Sequence, residues 1–405
     1  MILSRSATER DAIGGVMPKV VCLPETIDEA ASRIAESERS EEALAFIGGG
    51  TDLGIGSPPD RLEVVIRTEK LNRVIEHAPS DQIITVEAGM TLAQFQSVVG
   101  THRQRLALDA PLADRATIGG IIAANAFGPL RTRHGSIRDL IIGIKIIRAD
   151  GVIARGGGKV VKNVAGFDLP KLMVGSLGTL GMIATATFRL HPLPETSETL
   201  LIEGQSAIAV RKLVAEMRQA QLEVAAAAAL AEGSAFDVAV RFEGFRAGVL
   251  EQCNRLSAQV AGCDVLDPAE AQLLWRRHDE IRTAGSLRLK IAALPSAIEA
   301  MTREVIPPLL GSLTGGGFVW YPTLGLGFVT GTPAGDEKTT VAIRRARDML
   351  VKAGGSLTIH ASSNEVRKLA DVWGEAGGAL RLMRSMKERF DPGRRLAPGR
   401  FVGGI

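Results

Sequence analysis

The feature that most constrains this chain is the stretch FIGGGTDLGIG at residues 46–56, where an apolar run ends in three consecutive glycines. Glycines tolerate positive φ, and successive amide N–H groups can then point into one concavity that suits an anion. The two common phosphate loops do not fit, because the third glycine of G-x-G-x-x-G falls on Leu53 and no Walker Lys-Ser/Thr pair follows. For these glycines taken alone, a strand that ends in a flexible turn is the alternative.

The composition is that of a folded protein with room for more than one domain. With 405 residues, of which 45% are hydrophobic and 23% charged, the chain is long enough for two or three domains and a sizeable core. The net charge of +3 gives no support to a nucleic-acid partner. The aromatic content of 4% argues against stacking platforms for bases or sugars.

The cysteines and the apolar runs predict the compartment. Cys22, Cys253 and Cys263 are scattered without a C-x-x-C pair, which fits a reducing compartment and argues against a zinc or iron–sulfur site built from this chain alone. The N-terminal residues lack the apolar region of a secretory signal, and the longest apolar runs, such as IIGIKII, have only strand length. We therefore predict a cytoplasmic protein without a transmembrane segment.

The first half of the chain alternates short strands with a few helices. Residues 18–47 are typical of strand, helix and strand, with Thr26 and Glu29 as a capping box at the helix start. TLAQFQSVVG has helical spacing. From 106 to 193 we expect short β-rich pieces joined by glycine turns, among them ATIGGIIAANAFGPL and DLIIGIKIIRADGVIAR, the latter a hairpin or a meander strand.

A Pro-rich boundary, PLPET at 192–196, separates this half from a different pattern. Strands then alternate with amphipathic helices, which indicates a ferredoxin-like α+β sandwich with the helices on one face of an antiparallel sheet. In this region WRRHDE at 275–280 is interpreted as a solvated helix face. A last helix is predicted over about 364–390, before the tail FDPGRRLAPGRF.

The glycine-rich segments occur in a fixed order over nearly 140 residues. They are IGGGTDLG, VEAGMTL, PLADRATIGGIIAAN, GPLRTRHGSIRD and GGKVVKNVAGFDLPKLMVGSLGTLGMI. This ordered set resembles the FAD-binding domain of the vanillyl-alcohol oxidase and p-cresol methylhydroxylase superfamily. More narrowly, KNVAGFDLPKLMVGSLGTLG is similar to the FAD-binding E-type subunits of bacterial glycolate oxidases.

The resemblance implies a fold class and a domain plan. The fold would be α+β, with a two-subdomain FAD-binding domain of the vanillyl-alcohol oxidase type, a ferredoxin-like α+β cap domain, and a C-terminal helix and tail. The FAD-binding domain would span 1–193, with subdomains of about 1–105 and 106–193. The cap would span 194–362, and the helix and tail 363–405.

The resemblance also implies where FAD is held. A pyrophosphate carries two negative charges, so we expect amide N–H groups of two glycine loops to converge on it, with hydroxyl donors from two threonines. Thr51 stands where covalent flavoproteins of the family often carry His, which predicts non-covalent FAD, and Ile47 replaces an Arg that usually opens the loop. The implied FAD contacts are Gly48, Gly49, Gly50, Thr51, Asp52, Thr117, Ile118, Gly119, Gly120, Asn125, Arg138, Lys162, Asn163, Ala165, Gly181 and Ile183.

Several polar residues near these segments allow more than one role. Lys162 could stabilise anionic reduced flavin or be a solvated surface lysine. Asp168 is expected to pair with a nearby basic residue rather than to act in catalysis. A basic cluster could face phosphate, a substrate carboxylate or a partner protein, and it consists of Arg131, Arg133, His134 and Arg138.

No catalytic or metal-binding set is assigned from the sequence. The six histidines include no pair at H-x-H, H-x-x-H or H-x-x-x-H spacing, so the chain lacks the metal pattern of the family's catalytic subunits. His360 is the best single candidate to lie near a flavin, and a structural histidine is the alternative. Ala397 stands where the family usually has Asn, which puts the role of the tail at the flavin in doubt.

These features favour an accessory role in a complex. The expected partners are a catalytic FAD subunit and an iron–sulfur subunit, and the complex would oxidise glycolate, a small 2-hydroxy acid, to glyoxylate. It would lie in the cytoplasm, or at the inner membrane through its partners. The alternatives are a self-sufficient FAD-dependent dehydrogenase or oxidase, a cofactor-free assembly subunit, and a remote nicotinamide-dependent option disfavoured by the missing third glycine.

Overall fold

A computed structural model describes residues 2–159 and 167–405 of the chain. Its internal contacts divide the chain into two compact units, which are described separately. Unit 1 comprises Met1–Gly128, Gly135–Leu193 and Glu375–Ile405, and unit 2 comprises Pro129–His134 and Pro194–Gly374. The boundaries given above for the FAD-binding domain and the cap domain stay predictions.

The first sheet of unit 1 is four-stranded and is covered on both faces. Its order is β1-β2-β4-β3, with β2, β4 and β3 parallel and β1 antiparallel at one edge. The strands are β1 (Leu3–Arg5), β2 (Val20–Leu23), β3 (Leu44–Ile47) and β4 (Val64–Arg67). Leu44 and Ile66 pack toward helix α1 (Ile27–Arg39), whereas Val65 packs on the opposite face. Strands buried on both sides need continuous apolar runs such as LAFI.

The second sheet of unit 1 is antiparallel and confirms the predicted hairpin. Its order is β5-β6-β10-β8-β9. The strands are β5 (Val74–Ala78), β6 (Ile83–Glu87), β8 (Ile141–Ile147), β9 (Ile153–Gly157) and β10 (Met182–Arg189), and β7 (Gln104–Arg105) pairs separately with β11 (His191–Pro192). Between β8 and β9 the chain turns through Gly151, whose φ of 78° suits a glycine.

Helix α3 lies where a β-rich piece was expected, so that expectation for ATIGGIIAANAFGPL was wrong. Thr117 caps the helix by accepting a hydrogen bond from the Gly120 amide at 3.3 Å. Ile118, Ile121 and Ile122 are buried at helical spacing, which outweighs the low helix propensity of the two glycines. Unit 1 has these helices: α1, α2 (Leu92–Gly100), α3 (Ile118–Ala124), α5 (Ile137–Leu140), α6 (Leu169–Met173) and α14 (Leu380–Phe390).

The predicted capping box at the start of α1 forms only in part. The Thr26 hydroxyl accepts the Glu29 amide at 3.2 Å, as expected. The Glu29 carboxylate, however, accepts from the Glu25 amide at 2.8 Å rather than from Thr26. The second hydrogen bond of the capping box is therefore made to the amide of Glu25 instead of the amide of Thr26.

Unit 2 is built on an eight-stranded antiparallel sheet. The order is β15-β12-β14-β13-β17-β18-β16-β19. The strands are β12 (Thr196–Gln205), β13 (Ala226–Glu232), β14 (Ala235–Gly244), β15 (Cys263–Val265), β16 (Leu287–Ala292), β17 (Leu313–Tyr321), β18 (Leu326–Pro333) and β19 (Ser356–Ala361). Leu289, Trp320, Val329 and Ile359 belong to one hydrophobic core on one face of this sheet.

Helices cover both faces of this sheet rather than one. The core face packs against α7, α8 and α12 through residues such as Leu213, Leu256 and Ile343. Helix α9 contacts side chains of the opposite face, since His278 bonds to Tyr321. The helices of unit 2 are α4 (Arg131–His134), α7 (Ala207–Gln219), α8 (Arg246–Gln259), α9 (Pro268–Thr283), α10 (Ile298–Ala300), a π-helical turn (Met301–Val305), α11 (Ile306–Leu310), α12 (Asp336–Lys352) and α13 (Asn364–Leu369).

The expected continuous helix at 364–390 was wrong. The chain forms α13 (Asn364–Leu369) and α14 (Leu380–Phe390), with a non-helical segment between them. That segment contains Gly374, Gly377 and Gly378, each of which costs about 1 kcal/mol in a helix relative to Ala. In the part of the chain that the structure describes, no helix has the length and hydropathy needed to cross a membrane.

A buried ion pair fixes the C-terminal tail within unit 1. Lys387 and Asp391 are 2.7 Å apart, with side chains 4% and 0% exposed. The ammonium also donates to the carbonyl oxygens of Thr179 and Leu396, and the carboxylate accepts the amides of Arg395 and Leu396. Burial lowers the pKa of Lys387, while the Asp391 carboxylate opposes that shift.

We expect Asp391→Ala to destabilise unit 1 by about 3 kcal/mol, because it leaves a buried ammonium without its counter-charge. Urea unfolding followed by circular dichroism measures this change. Glu388→Ala, at an exposed position of the same helix, is the matched control and should change stability by less than about 0.5 kcal/mol. Equal stability of the Asp391→Ala and control proteins would contradict the role of the pair.

Candidate cofactor site

Two glycine segments of unit 1 lie in direct contact. Loop A, defined as residues 48–52, follows β3, and loop B, defined as residues 117–120, begins α3. A Cβ added to Gly48 would lie 2.0 Å from the Thr117 hydroxyl oxygen, and one added to Gly49 would lie 1.7 Å from the Arg115 carbonyl oxygen. Only glycine permits this approach.

The two loops offer different groups to a ligand. In loop A, the amide N–H groups of Gly48, Gly49 and Gly50 have no protein hydrogen-bond acceptor among the described residues. In loop B, the Ile118 amide donates to Met90 and the Gly119 amide to Ala88, at 2.9 and 2.7 Å. The amides available for an anion therefore come from loop A, and loop B supplies close packing and the Thr117 side chain.

Both loops line one cavity of unit 1 that is partly open to solvent. Its walls include ten of the positions predicted to contact FAD, namely Gly48, Gly49, Gly50, Thr51, Asp52, Thr117, Gly119, Gly120, Gly181 and Ile183. Apolar side chains such as Ala45 and Met182 complete the walls. The structure thus brings together residues that are more than 130 positions apart in the sequence.

Three predicted positions lie outside this cavity wall. Ile118 is fully buried in the core of unit 1. Asn125 ends α3 in a left-handed conformation, and its buried Oδ1 has no hydrogen-bond partner in the described part of the chain. Arg138 is exposed and donates to the Lys171 carbonyl at 3.5 Å. Their contact with a cofactor stays a prediction.

The structure describes only part of the segment that was predicted to lie beside the flavin. Lys162, Asn163 and Ala165 lie outside the described residues. Asp168 caps α6, accepting the Lys171 amide at 3.4 Å.

The tail contributes two residues to the cavity wall, of which Arg400 has no distinguishing signal in the sequence. Ala397 and Arg400 line the same cavity as loop A. The Ala397 amide donates to the Leu44 carbonyl at 2.7 Å, which joins the tail to the strand that leads into loop A. A local pattern could not have revealed this, because the contact joins segments about 350 residues apart.

Unit 2 carries a cationic cluster on the sheet face opposite its core, which we define as Arg131, Arg282, Arg288 and Lys290. Arg288 and Lys290 alternate with the core residues of β16, and Lys290 lies opposite Phe328 in the ladder. The Arg282 guanidinium carbon lies 4.0 Å from the centroid of the Phe328 ring, within cation–π range.

Burial and the charges of this cluster shift the pKa values of Lys290 and of the neighbouring His360. Burial lowers the pKa of Lys290 to about 8, and the guanidinium groups of Arg131 and Arg282 act in the same direction. Burial also lowers the pKa of His360 well below its usual range, and Lys290, Arg288 and Arg282 add to the shift. His360 is therefore neutral at physiological pH.

The interpretation of WRRHDE as a fully solvated face was wrong for His278. This side chain is 1% exposed, and its Nε2 lies 2.8 Å from the Tyr321 hydroxyl. Leu274, His278 and Arg282 are the buried residues of α9 and stand four residues apart. That spacing was the signal in the sequence, since positions i and i+4 share one helix face.

The four residues of the predicted basic cluster are divided between the two units. Arg133 pairs with Glu223 at 2.8 Å and donates to the Glu243 carbonyl at 2.9 Å within unit 2. Arg138 belongs to unit 1. Across residues 2–159 and 167–405, no group of three or more His, Cys, Asp or Glu side chains is placed to hold a metal ion.

Comparison with known proteins gives a family match for part of unit 1. The FAD binding domain family matches residues 18–157, which include loops A and B. This segment is an FAD-binding domain. The predicted cofactor, FAD, is thereby confirmed.

Curated relatives place the FAD-binding domain among oxidoreductases. A D-2-hydroxyglutarate dehydrogenase of Xanthomonas citri pv. viticola is 25% identical over 95% of this chain and 89% of its own length. Glycolate oxidase subunit GlcD of Bacillus subtilis is 32% identical over 51% of this chain and 44% of its own, and subunit GlcE of Escherichia coli is 32% identical over 44% and 50%. The chain thus matches about half of each glycolate oxidase subunit. The predicted assignment to FAD-dependent oxidoreductases that resemble these subunits is confirmed.

Solved structures confirm the α+β fold class. p-Cresol methylhydroxylase with substrate bound has a TM-score of 0.75 at 15% identity, over 97% of this chain and 90% of that one. Alkyldihydroxyacetonephosphate synthase has a TM-score of 0.72 at 15% identity, over 96% and 78%. These similarities establish the fold, and the chemistry is argued from the site.

We expect Gly49→Ala to raise the Kd for FAD by about 10- to 100-fold, since overpacking costs about 1–3 kcal/mol and the added Cβ would force the loops apart. Flavin released from the purified protein, quantified per chain, and FAD titration measure the loss. Gly100→Ala is the matched control, because a Cβ there has no heavy atom within 4 Å. If Gly49→Ala retains full FAD, the tight contact is not needed for the site.

Proposed function

We propose that this chain binds FAD non-covalently and serves in the oxidation of a small 2-hydroxy acid, with glycolate converted to glyoxylate. The observation that carries the proposal is the single cavity into which both glycine loops of the FAD-binding domain open. The relatives named as glycolate oxidase subunits and as a D-2-hydroxyglutarate dehydrogenase support this reaction class.

The residues around the cavity fit FAD. The amides of Gly48, Gly49 and Gly50 would bind phosphate oxygens, because they have no protein acceptor within the described chain. Thr51 offers a hydroxyl group where a covalent attachment would need a stronger nucleophile, so the cofactor is held without a bond to the protein. The chemistry that FAD supplies when bound is acceptance of a hydride equivalent from the carbon that bears the hydroxyl group.

The cationic cluster of unit 2 fits the carboxylate of a 2-hydroxy acid. The side chains of Arg282, from α9, and Lys290, from β16, lie at the sheet face that is turned away from the core. A carboxylate bound there would offset the repulsion between their positive charges. His360 is neutral and makes an edge-to-face contact with Phe328 at a centroid distance of 6.1 Å, so a ring nitrogen can accept a hydrogen bond from the substrate hydroxyl group.

We further propose that the chain works in a heteromeric complex. Its partners would be a catalytic FAD subunit and an iron–sulfur subunit that carries electrons onward. The names of the two glycolate oxidase subunits among the relatives support this arrangement.

A self-sufficient 2-hydroxy-acid dehydrogenase is the second candidate. Two observations favour it: the cationic cluster of unit 2, and the match to D-2-hydroxyglutarate dehydrogenase over 89% of that protein's length. The two candidates differ in whether the isolated chain oxidises substrate.

Anaerobic mixing of the purified, FAD-loaded chain with glycolate, D-lactate or D-2-hydroxyglutarate separates the candidates. For an accessory subunit, we expect bound flavin that acid treatment releases and that stays oxidised until the partner subunits are added. Bleaching of the visible flavin absorbance by one acid would instead establish the self-sufficient dehydrogenase. A colourless chain that does not bind added FAD would contradict both.

We expect Lys290→Met to weaken binding of the 2-hydroxy acid by about 10-fold or more, as expected for loss of a charge-assisted hydrogen bond. Isothermal titration with glycolate and D-2-hydroxyglutarate measures the affinity. Lys352→Met, at an exposed position of α12, is the matched control.

The pH dependence of this binding has a defined sign. Because the pKa of Lys290 is lowered to about 8, its charge is present below that pH and is lost above it, so affinity should fall as pH rises through 8. Lys290→Arg should remove this decline, since a guanidinium stays charged. A pH profile that is identical in wild-type and Lys290→Arg proteins would rule out Lys290 as the titrating group.

A further inference from the structure

We propose that Arg400, on the C-terminal tail, contacts a phosphate of the bound dinucleotide and that the tail is therefore part of the cofactor site. This inference rests on the proposed function, in which FAD is bound in this cavity, and adds a residue outside the matched segment 18–157.

The position of Arg400 is the first observation. The residue is 4% exposed and lines the cavity together with loop A. Its Nη2 donates to the Leu53 carbonyl oxygen at 2.8 Å, which fixes the plane of the guanidinium beside the loop. A guanidinium has five N–H donors in a rigid fork, so it can hold this bond and reach an anion as well.

The charge of the cavity is the second observation. Loop A brings neutral amides and the Asp52 carboxylate, whereas a pyrophosphate brings two further negative charges. Among the described residues that line the cavity, Arg400 is the cationic side chain. Without it, an anion with two charges would have to bind beside a carboxylate with amide dipoles alone.

The anchoring of the tail is the third observation. The Ser57 amide donates to the Arg400 carbonyl at 2.9 Å, and the Asp60 amide donates to the Pro398 carbonyl at 2.8 Å. A Cβ added to Gly56 would lie 2.7 Å from the Arg400 carbonyl oxygen. These contacts hold the backbone of Arg400 against the segment that follows loop A, so its side chain is positioned before a ligand arrives.

A purely structural role for Arg400 predicts a different pattern of binding. An arginine that only held the 53–57 segment would, when replaced, weaken ligands with and without phosphate alike. An arginine that contacts phosphate affects only the ligands that carry it. The comparison of ADP with adenosine separates these roles, because the two differ in their phosphates.

Arg400→Gln is the test, measured by fluorescence titration of the apoprotein with FAD and by competition with ADP and adenosine. We expect the Kd values of FAD and ADP to rise about 10- to 100-fold, as for loss of a charged hydrogen-bond donor, while that of adenosine stays within about 2-fold. Arg400→Lys should recover part of the loss. Arg389→Gln, an exposed arginine of α14, is the matched control and should bind FAD as the wild type does.

A second measurement covers the case in which Arg400→Gln fails to fold. In the wild-type chain, amide hydrogen exchange in the 395–401 segment should slow when FAD or ADP is added but not when adenosine is added. Unchanged exchange, equal FAD affinity of Arg400→Gln and wild type, or equal weakening of ADP and adenosine would each overturn the inference and leave FAD binding intact. A wild-type chain that binds no FAD would overturn the proposed function as well.

Discussion

The contact between loops A and B is the constraint on which the rest of unit 1 depends. Gly48 and Gly49 meet Thr117 and Arg115 so closely that a single methyl group would overlap with them. This contact requires β3 to position loop A and the Thr117 cap to fix loop B, and it leaves the amides of Gly48, Gly49 and Gly50 without protein acceptors in the described chain. Donors that are kept apart from acceptors cost free energy unless water or a ligand binds them. The steric fit of the glycines therefore prepares the site for an anion.

The two units differ in the groups that they offer to an anionic ligand. Unit 1 uses backbone dipoles with one guanidinium from the tail, which suits a phosphate held by many weak donors. In unit 2 the Arg282 guanidinium lies over the Phe328 ring, and burial, together with repulsion from Arg131 and Arg282, lowers the pKa of Lys290. A cluster of that kind is costly to fold, and a bound carboxylate lowers the cost. The two units thus offer different chemistry to an anion.

Local patterns predicted the elements well and the assembly of the site only in part. The β8–β9 hairpin and most strands and helices of unit 2 follow from alternation and helical spacing. Helix α3 was missed because its paired glycines indicated turns, whereas the Thr117 cap and three buried isoleucines decide the outcome. The loops could be paired with each other only through the family resemblance. The burial of His278 could have been found from its i, i+4 spacing with Leu274 and Arg282. Arg400 is placed by a tertiary contact with Leu53, 347 residues away, so no window of the sequence contains that signal.

The separation of these segments has a consequence for stability. The cavity of unit 1 is formed by residues near 50, 120, 182 and 400, so it exists only when the whole unit is folded and the tail is docked. A ligand that binds this state and not the unfolded chain stabilises it by mass action, by about 2.7 kcal/mol at a hundred times its Kd. The Lys387–Asp391 pair holds the tail before the ligand binds, and Arg400 would hold it through the ligand afterwards. Cofactor binding and docking of the tail are therefore expected to be one cooperative event.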